Sequence, residues 1–274
     1  MRFLTYDVFT DRPYGGNPLA VIPEGPALPR AALQAIAREF NYSETTFVLP
    51  PEEPAHTARV RIFTPTMEVP FAGHPIIGTA VALAEAGAGP EMVFELGIGP
   101  VSVTAAGGAA RFETDATLTT LSEPAVADVA ACLALSPDQI VGPPSQVSLG
   151  LPFVLAEVGG PEALAACTPT IDAFRRASVR YPSDLDFAIY AWHRDGETIN
   201  ARMFAPLDDI TEDPATGSAA ATLSAHLGDG AYVIRQGEAM GRPSRIETKV
   251  KDGKVAVSGT AVRIMEGRIV ALPG

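Results

Sequence analysis

One phrase occurs twice in this chain of 274 residues, once in each half. The first copy reads Arg61-Ile-Phe63-Thr-Pro65, followed by Gly73-His74-Pro75-Ile-Ile-Gly78-Thr79-Ala80. The second reads Arg202-Met-Phe204-Ala-Pro206, followed by Glu212-Asp213-Pro214-Ala-Thr-Gly217-Ser218-Ala219. Each copy is an Arg-x-Phe-x-Pro strand, a short polar loop and a Pro-x-x-Gly-Thr/Ser-Ala helix start. The strand phrase moves from residue 61 to 202 and the helix phrase from 75 to 214, so the second loop is two residues shorter. A weaker echo lies upstream, where Gly16-Asn17-Pro18 is answered by Gly150-Leu151-Pro152. Two phrases repeated in the same order point to a duplicated domain. The duplication sets two titratable residues, His74 and Asp213, at equivalent places.

The length accommodates two domains of ordinary size, and an apolar content of 47% supplies a core for each. The net charge of −12 argues against nucleic acid, whose phosphates demand a basic face. No apolar run is long enough to span a membrane. The N-terminus reads as a strand rather than a signal peptide, so a cytoplasmic protein is expected. Cys132 and Cys167 lie outside the repeated phrases; two isolated thiols in such a chain are more often reduced, although a disulfide between them stays open. The histidines, His56, His74, His193 and His226, have no metal-ligand spacing, and no metal site is expected.

Residues 3–9 and 18–22 read as strands, and 29–40 as an amphipathic helix with Leu33, Ile36, Ala37 and Phe40 on one face. Residues 45–49 and 59–63 follow as strands. From Pro75 to Ala86 the apolar residues surround the helix on nearly every side, which marks it as buried. Pro214–Leu227 has a similar make-up, and each helix is expected to start at its proline and stop at glycine, Gly87 or Gly228. Short strands are expected at 232–234, 245–250, 255–257 and 261–264, and a helix at 126–135. The domain boundary falls near residue 118, giving halves of 1–118 and 119–274 and leaving open whether the last strand packs on the first half.

Three residues could carry chemistry. Glu44 stands between a helix and a strand, where a held and partly desolvated carboxylate has its pKa raised toward the range useful for proton transfer. An arbitrary glutamate is usually a solvated surface residue; the company of Asn17, His74 and Asp213 sets this one apart. Asp213 also suits plain N-capping, and His74 suits a half-buried structural role. Gly73, Gly78, Gly217 and Ser218 bring helix-start amides within reach of an anionic ligand, or simply allow close packing. No nucleophile elbow, dinucleotide fingerprint or Walker loop is present. Acid–base chemistry on a small molecule remains.

Asn17-Pro18, Ser43-Glu44-Thr45, Gly73-His74-Pro75, Asp213-Pro-Ala-Thr-Gly217-Ser218 and Gly241-Arg242-Pro243-Ser244 resemble, in order and spacing, the phenazine-biosynthesis isomerase (PhzF-like) family. The resemblance implies an α+β fold like that of diaminopimelate epimerase: two similar pseudo-symmetric domains, each a curved, mostly antiparallel sheet wrapped around a buried central helix. It implies a homodimer, with no cofactor, acting on a small-molecule acid similar to trans-2,3-dihydro-3-hydroxyanthranilate. Glu44 would move the proton, assisted by His74 and Asp213, with Asn17, Ser43, Gly73, Gly217 and Ser218 lining the site. Related epimerases and racemases use two cysteines, one just before the glycine of the first helix start. Ala72 holds that place here, which disfavours two-thiol chemistry. A binding protein that kept the site without the reaction, and an epimerase using one carboxylate, are the alternatives.

Overall fold

The computed structural model describes residues 1–25 and 28–271, and the chain divides into two compact units. One comprises Met1–Thr114 with Ala256–Gly274, the other Asp115–Val255. In the first, the strands are β1 (Arg2–Val8), β2 (Asn17–Ile22), β3 (Glu44–Leu49), β4 (Ala58–Phe63), β5 (Glu68–Val69), β6 (Glu91–Leu96), β7 (Gly99–Ala106) and β8 (Ala109–Thr114). The helices are α1 (Arg30–Phe40) and α2 (Gly73–Glu85). β1 runs antiparallel to β2, β2 parallel to β3, and β3 antiparallel to β4. β4 then pairs antiparallel with β5 and parallel with β6, and β6, β7 and β8 continue antiparallel.

Helix α2 is buried from Gly73 through Ala82, as its all-round apolar sequence requires, and packs against β1, β2, β3, β7 and β8. Helix α1 instead buries one face, Ala32, Leu33, Ile36 and Ala37, over Phe47 and Phe63, and ends at Asn41 in a left-handed conformation.

The second unit contains β9 (Thr119–Ser122), α3 (Val126–Leu133), β10 (Ile140–Ser148), β11 (Pro152–Val158), α4 (Pro161–Ala166) and α5 (Ile171–Arg180). These are followed by β12 (Ile189–Asp195), β13 (Thr198–Ala205), β14 (Ile210–Asp213), α6 (Gly217–Leu227), β15 (Gly230–Gln236) and β16 (Ser244–Lys251). The order of pairings is that of the first unit: β10 antiparallel to β11, β11 parallel to β12, and β12 antiparallel to β13. β13 meets β14 antiparallel and β15 parallel, and β15 meets β16 antiparallel. Cys132 and Cys167 are free thiols in the core formed under α3, α4 and α5. Burial pushes them up to about 12 and about 11, so both stay protonated and inert.

The last strand, β17 (Lys254–Arg268), pairs antiparallel with β1. Two short strands were expected there, because Ser258-Gly259-Thr260 interrupts the apolar pattern. The strand continues through them: the Thr260 carbonyl accepts from the amides of Phe9 and Thr10, and Phe9 lies so close to Gly259 that a Cβ would come 2.3 Å from its ring.

The two Arg-x-Phe-x-Pro phrases build the same local device. Arg61 donates to both Glu68 oxygens at 2.7 and 2.9 Å and stacks on Phe63; Arg202 donates to both Glu212 oxygens at 2.8 and 2.7 Å and stacks on Phe204. Each pair binds a long strand to the short one beside it. They differ in their third partner. Arg202 Nη1 also donates to the carbonyls of Leu164, Ala165 and Cys167 at the end of α4, whereas Glu68 takes a second guanidinium, that of Arg30. Arg202→Met therefore strands a half-buried carboxylate together with three carbonyls, and is expected to cost about 2–4 kcal/mol in urea denaturation. Arg61→Met should cost less, because Glu68 keeps Arg30; equal losses would contradict this account.

Candidate active site

In the first unit, parallel pairing sets Glu44, the first residue of β3, beside Leu19 of β2. His74 is the second residue of α2, whose N-cap, Ala72, has extended backbone and offers no side-chain cap. The two side chains meet, with His74 Nδ1 3.2 Å from Glu44 Oε2. A ring N–H of His74 also donates to the carbonyl of Pro18, next to the fully buried Asn17. Nε2 is buried with no hydrogen-bond partner among the described residues, so the ring proton sits on Nδ1.

The surrounding contacts hold this meeting in place. The Thr46 and Thr79 hydroxyls share a buried hydrogen bond of 2.9 Å between β3 and α2. Gly78 lets the helix lie directly on the strands, since a Cβ there would come 2.5 Å from Leu19 Cδ2 and 2.7 Å from Val8 Cγ2. Gly73 opens the helix, and the half-buried Ser43 immediately precedes Glu44.

Burial drives the His74 pKa down to about 3, and the hydrogen bond to Pro18 opposes that only in part. The imidazole is therefore neutral at physiological pH, and its contact with Glu44 is that of a neutral N–H beside a carboxylate rather than an ion pair. Glu44 is mostly sheltered, its side chain 16% exposed. A sheltered carboxylate beside a neutral ring with one unprotonated nitrogen is an arrangement suited to moving protons at the carboxylate.

In the second unit Asp213 is buried at the end of β14, opposite Met203 of β13. The helix does not start at Pro214 as the repeat predicts. It starts at Gly217, with Thr216 as N-cap, and Gly217 and Ser218 are its first two residues. Strand side chains satisfy the intervening backbone before a helix could. Gln236 Nε2 donates to the Asp213 carbonyl at 2.7 Å, Gln236 Oε1 accepts from Thr216 N at 3.2 Å, and the Ser244 hydroxyl reaches the Pro214 carbonyl at 3.1 Å. Asp213 is consequently not the cap; its Oδ2 accepts from the Thr216 hydroxyl at 2.6 Å. Sequence reasoning did not single out Thr216, Gln236 or Tyr190, which join Asp213 in one buried network. The signal available was Gln236-Gly237. Gly237 has φ +77°, and a Cβ there would come 2.4 Å from the Arg242 carbonyl and 2.5 Å from that of Pro214.

The fold is mixed α/β and is shared with racemases and epimerases. A probable proline racemase from Agrobacterium radiobacter superposes with a TM-score of 0.65 over 98% of this chain and 92% of its own, at 15% identity. A predicted epimerase from Pseudomonas aeruginosa is nearer, with a TM-score of 0.84 and 31% identity over 98% of this chain and 99% of its own. The family model described as phenazine biosynthesis-like protein matches residues 6–267. The chain belongs to that family and is an isomerase. It is 42% identical to an uncharacterized isomerase of Mesorhizobium japonicum over 98% of each chain. It is 34% identical to the trans-2,3-dihydro-3-hydroxyanthranilate isomerase of Pseudomonas fluorescens, covering 98% of this chain and 99% of that one.

The neutral state of His74 can be measured directly. In ¹⁵N NMR its ring should remain the Nδ1–H tautomer from pH 8 down to about 4, against an ordinary histidine midpoint near 6.5. A depressed native pKa means that the unfolded chain takes up this proton first, so the contribution of His74 to stability is full above about pH 6.5 and is lost as pH falls toward 3. A ring protonated at pH 6 would contradict the assignment.

Proposed function

We propose that this protein is a cofactor-independent isomerase that shifts a proton between carbons of a small carboxylate-bearing substrate, as in the trans-2,3-dihydro-3-hydroxyanthranilate isomerases it resembles. The observation that carries the reading is the sheltered Glu44 carboxylate 3.2 Å from a neutral, buried imidazole. Glu44 takes the proton from one carbon, the C–H electrons move into the neighbouring π bond, and the Glu44 acid returns the proton to a second carbon. His74, held by Pro18 through Nδ1–H, stands beside Glu44 and offers Nε2 as acceptor to a substrate hydroxyl or amine. Asp213 binds and tunes polar groups of the substrate. Asn17, Ser43, Gly73, Gly217 and Ser218 contribute to its binding, and Gly73 and Gly217 do so as the first residues of α2 and α6, where backbone amides are unpaired.

The similar order of strand pairings in both units supports reading them as pseudo-symmetric copies of one fold. Thiol chemistry of the racemase kind has no support: Ala72 precedes Gly73, and both cysteines are buried and protonated.

Glu44→Gln preserves shape and removes the base. Turnover of trans-2,3-dihydro-3-hydroxyanthranilate, or of any acid found by screening, should fall by at least about 10². Glu44→Asp should retain part of the rate. Near-normal turnover in Glu44→Gln would overturn the assignment.

A further inference from the structure

Gln236 is an interior amide with every hydrogen-bonding position on its side chain used. Oε1 accepts from the Tyr190 hydroxyl at 3.0 Å and from Thr216 N at 3.2 Å; Nε2 donates to Thr216 Oγ1 at 2.9 Å and to the Asp213 carbonyl at 2.7 Å. Tyr190 and Gln236 are both almost wholly buried, with exposures of 0% and 1%. An amide has two donor hydrogens and two acceptor lone pairs, so its orientation here is unique. A flip would set two donors against the Tyr190 hydroxyl and Thr216 N–H, and leave an acceptor facing the Asp213 carbonyl. Such an unsatisfied arrangement costs far more in the interior than at the surface.

The direction of this amide fixes the next bond. Thr216 Oγ1 accepts from Gln236 and spends its single proton on Asp213 Oδ2 at 2.6 Å. A proton on Oδ2 would have to turn the Thr216 proton away and break the 2.6 Å bond. We propose that Tyr190, Gln236 and Thr216 form a one-way hydrogen-bond relay that positions Asp213 and holds it as a carboxylate, with Gln236 setting its direction. Gln236 is thus a positioning residue acting on Asp213 through Thr216, and it meets Asp213 itself only at the main chain. The inference rests on the proposed function for the role of Asp213 in the reaction, but the relay does not.

The backbone is shaped to keep Gln236 in place. The glycine at 237 brings the β15–β16 turn against the carbonyls of Pro214 and Arg242, a closeness any larger residue would prevent. The Ser244 hydroxyl is shared between the carbonyls of Gln236 and Pro214, at 3.0 and 3.1 Å. These contacts join the end of β15 to the segment between Asp213 and α6.

Several charged groups lie on the elements packed around the relay, and Arg242 belongs to the turn that Gly237 brings against the Pro214 carbonyl. Arg202 on β13 and Glu212 on β14 pair with each other, Arg245 and Glu247 pair on β16, and Arg242 stands in the turn between β15 and β16. His193 lies toward the far end of β12 and His226 at the end of α6. Asp208 precedes β14, where burial and Asp186 raise it to about 6. Tyr190 is held protonated by burial and by the negative charge of Asp213, and so remains a donor to Gln236.

The test is a ¹³C NMR titration of the Asp213 carboxyl in the full-length protein without substrate. Gln236→Met keeps bulk and removes the amide. The Asp213 pKa should then rise by about one unit or more, the shift expected when a hydrogen bond to a charged group loses its orientation. Tyr190→Phe, which deletes one hydroxyl, should raise it by a smaller amount and serves as the second variant should Gln236→Met fail to fold. Thr216→Val removes the donor itself and sets the upper limit. An unmoved Asp213 pKa in the folded Gln236→Met protein, or in Tyr190→Phe if only that variant folds, would overturn the relay. Solvent-deuterium incorporation into substrate is measured in parallel. The incorporation is read in Asp213→Asn, which removes the carboxylate: undiminished incorporation there counts against Asp213 in the reaction and leaves the relay standing, so the two claims fail separately.

Discussion

The first unit is built around a histidine that is not allowed to be charged. His74 occupies the first turn of a helix buried on every side there, and burial outweighs the opposing hydrogen bond to the Pro18 carbonyl, with a Glu44 oxygen 3.2 Å away. An exposed pair of this kind would be an ion pair, with its carboxylate held in the ionised form by a neighbouring cation. A neutral ring stands beside Glu44 without that positive charge, its one proton given to the Pro18 carbonyl. Much of the surrounding packing serves this one contact: the Thr46–Thr79 bond, the glycine at 78 that seats α2 on the strands, and the Pro18 carbonyl that selects the Nδ1–H tautomer.

The second unit solves a related problem with different chemistry. Its counterpart of the His74 turn ends in an aspartate, and a buried aspartate needs donors rather than desolvation alone. The strand order is the same, and so is the bidentate arginine–glutamate pair beside the long strand. What changes is the approach to the helix. Gln236 and Ser244 occupy the backbone groups of residues 213–216 and delay the helix until Gly217, and that delay brings Thr216 to Asp213. One local phrase therefore supports a neutral, buried imidazole in one unit and a hydrogen-bonded carboxylate in the other.

The legibility of the sequence followed the range of the interactions. Helix α1 and the burial of α2 could be read from period and composition because both are decided within a few residues. The family could be read because Asn17, Glu44, His74 and Asp213 stand in motifs of fixed spacing. The start of α6 could not, because proline at 214 is a sound local signal that side chains more than 20 residues away override. The single strand β17 escaped for the same reason, its polar middle being held by the amides of Phe9 and Thr10. Tyr190 and Gln236 carry no local mark of their roles: a tyrosine and a glutamine on strands read as ordinary alternation until the fold sets them against Thr216.

The central claim is that one carboxylate removes and returns the proton at different carbons of one substrate. The most direct measurement is the position of deuterium in product formed in D₂O, read by ¹H and ²H NMR under conditions of partial turnover. The account predicts deuterium at a carbon other than the one that lost its proton, with no inversion at the original centre. Deuterium returned to the original carbon with inverted configuration would contradict it and establish epimerisation instead.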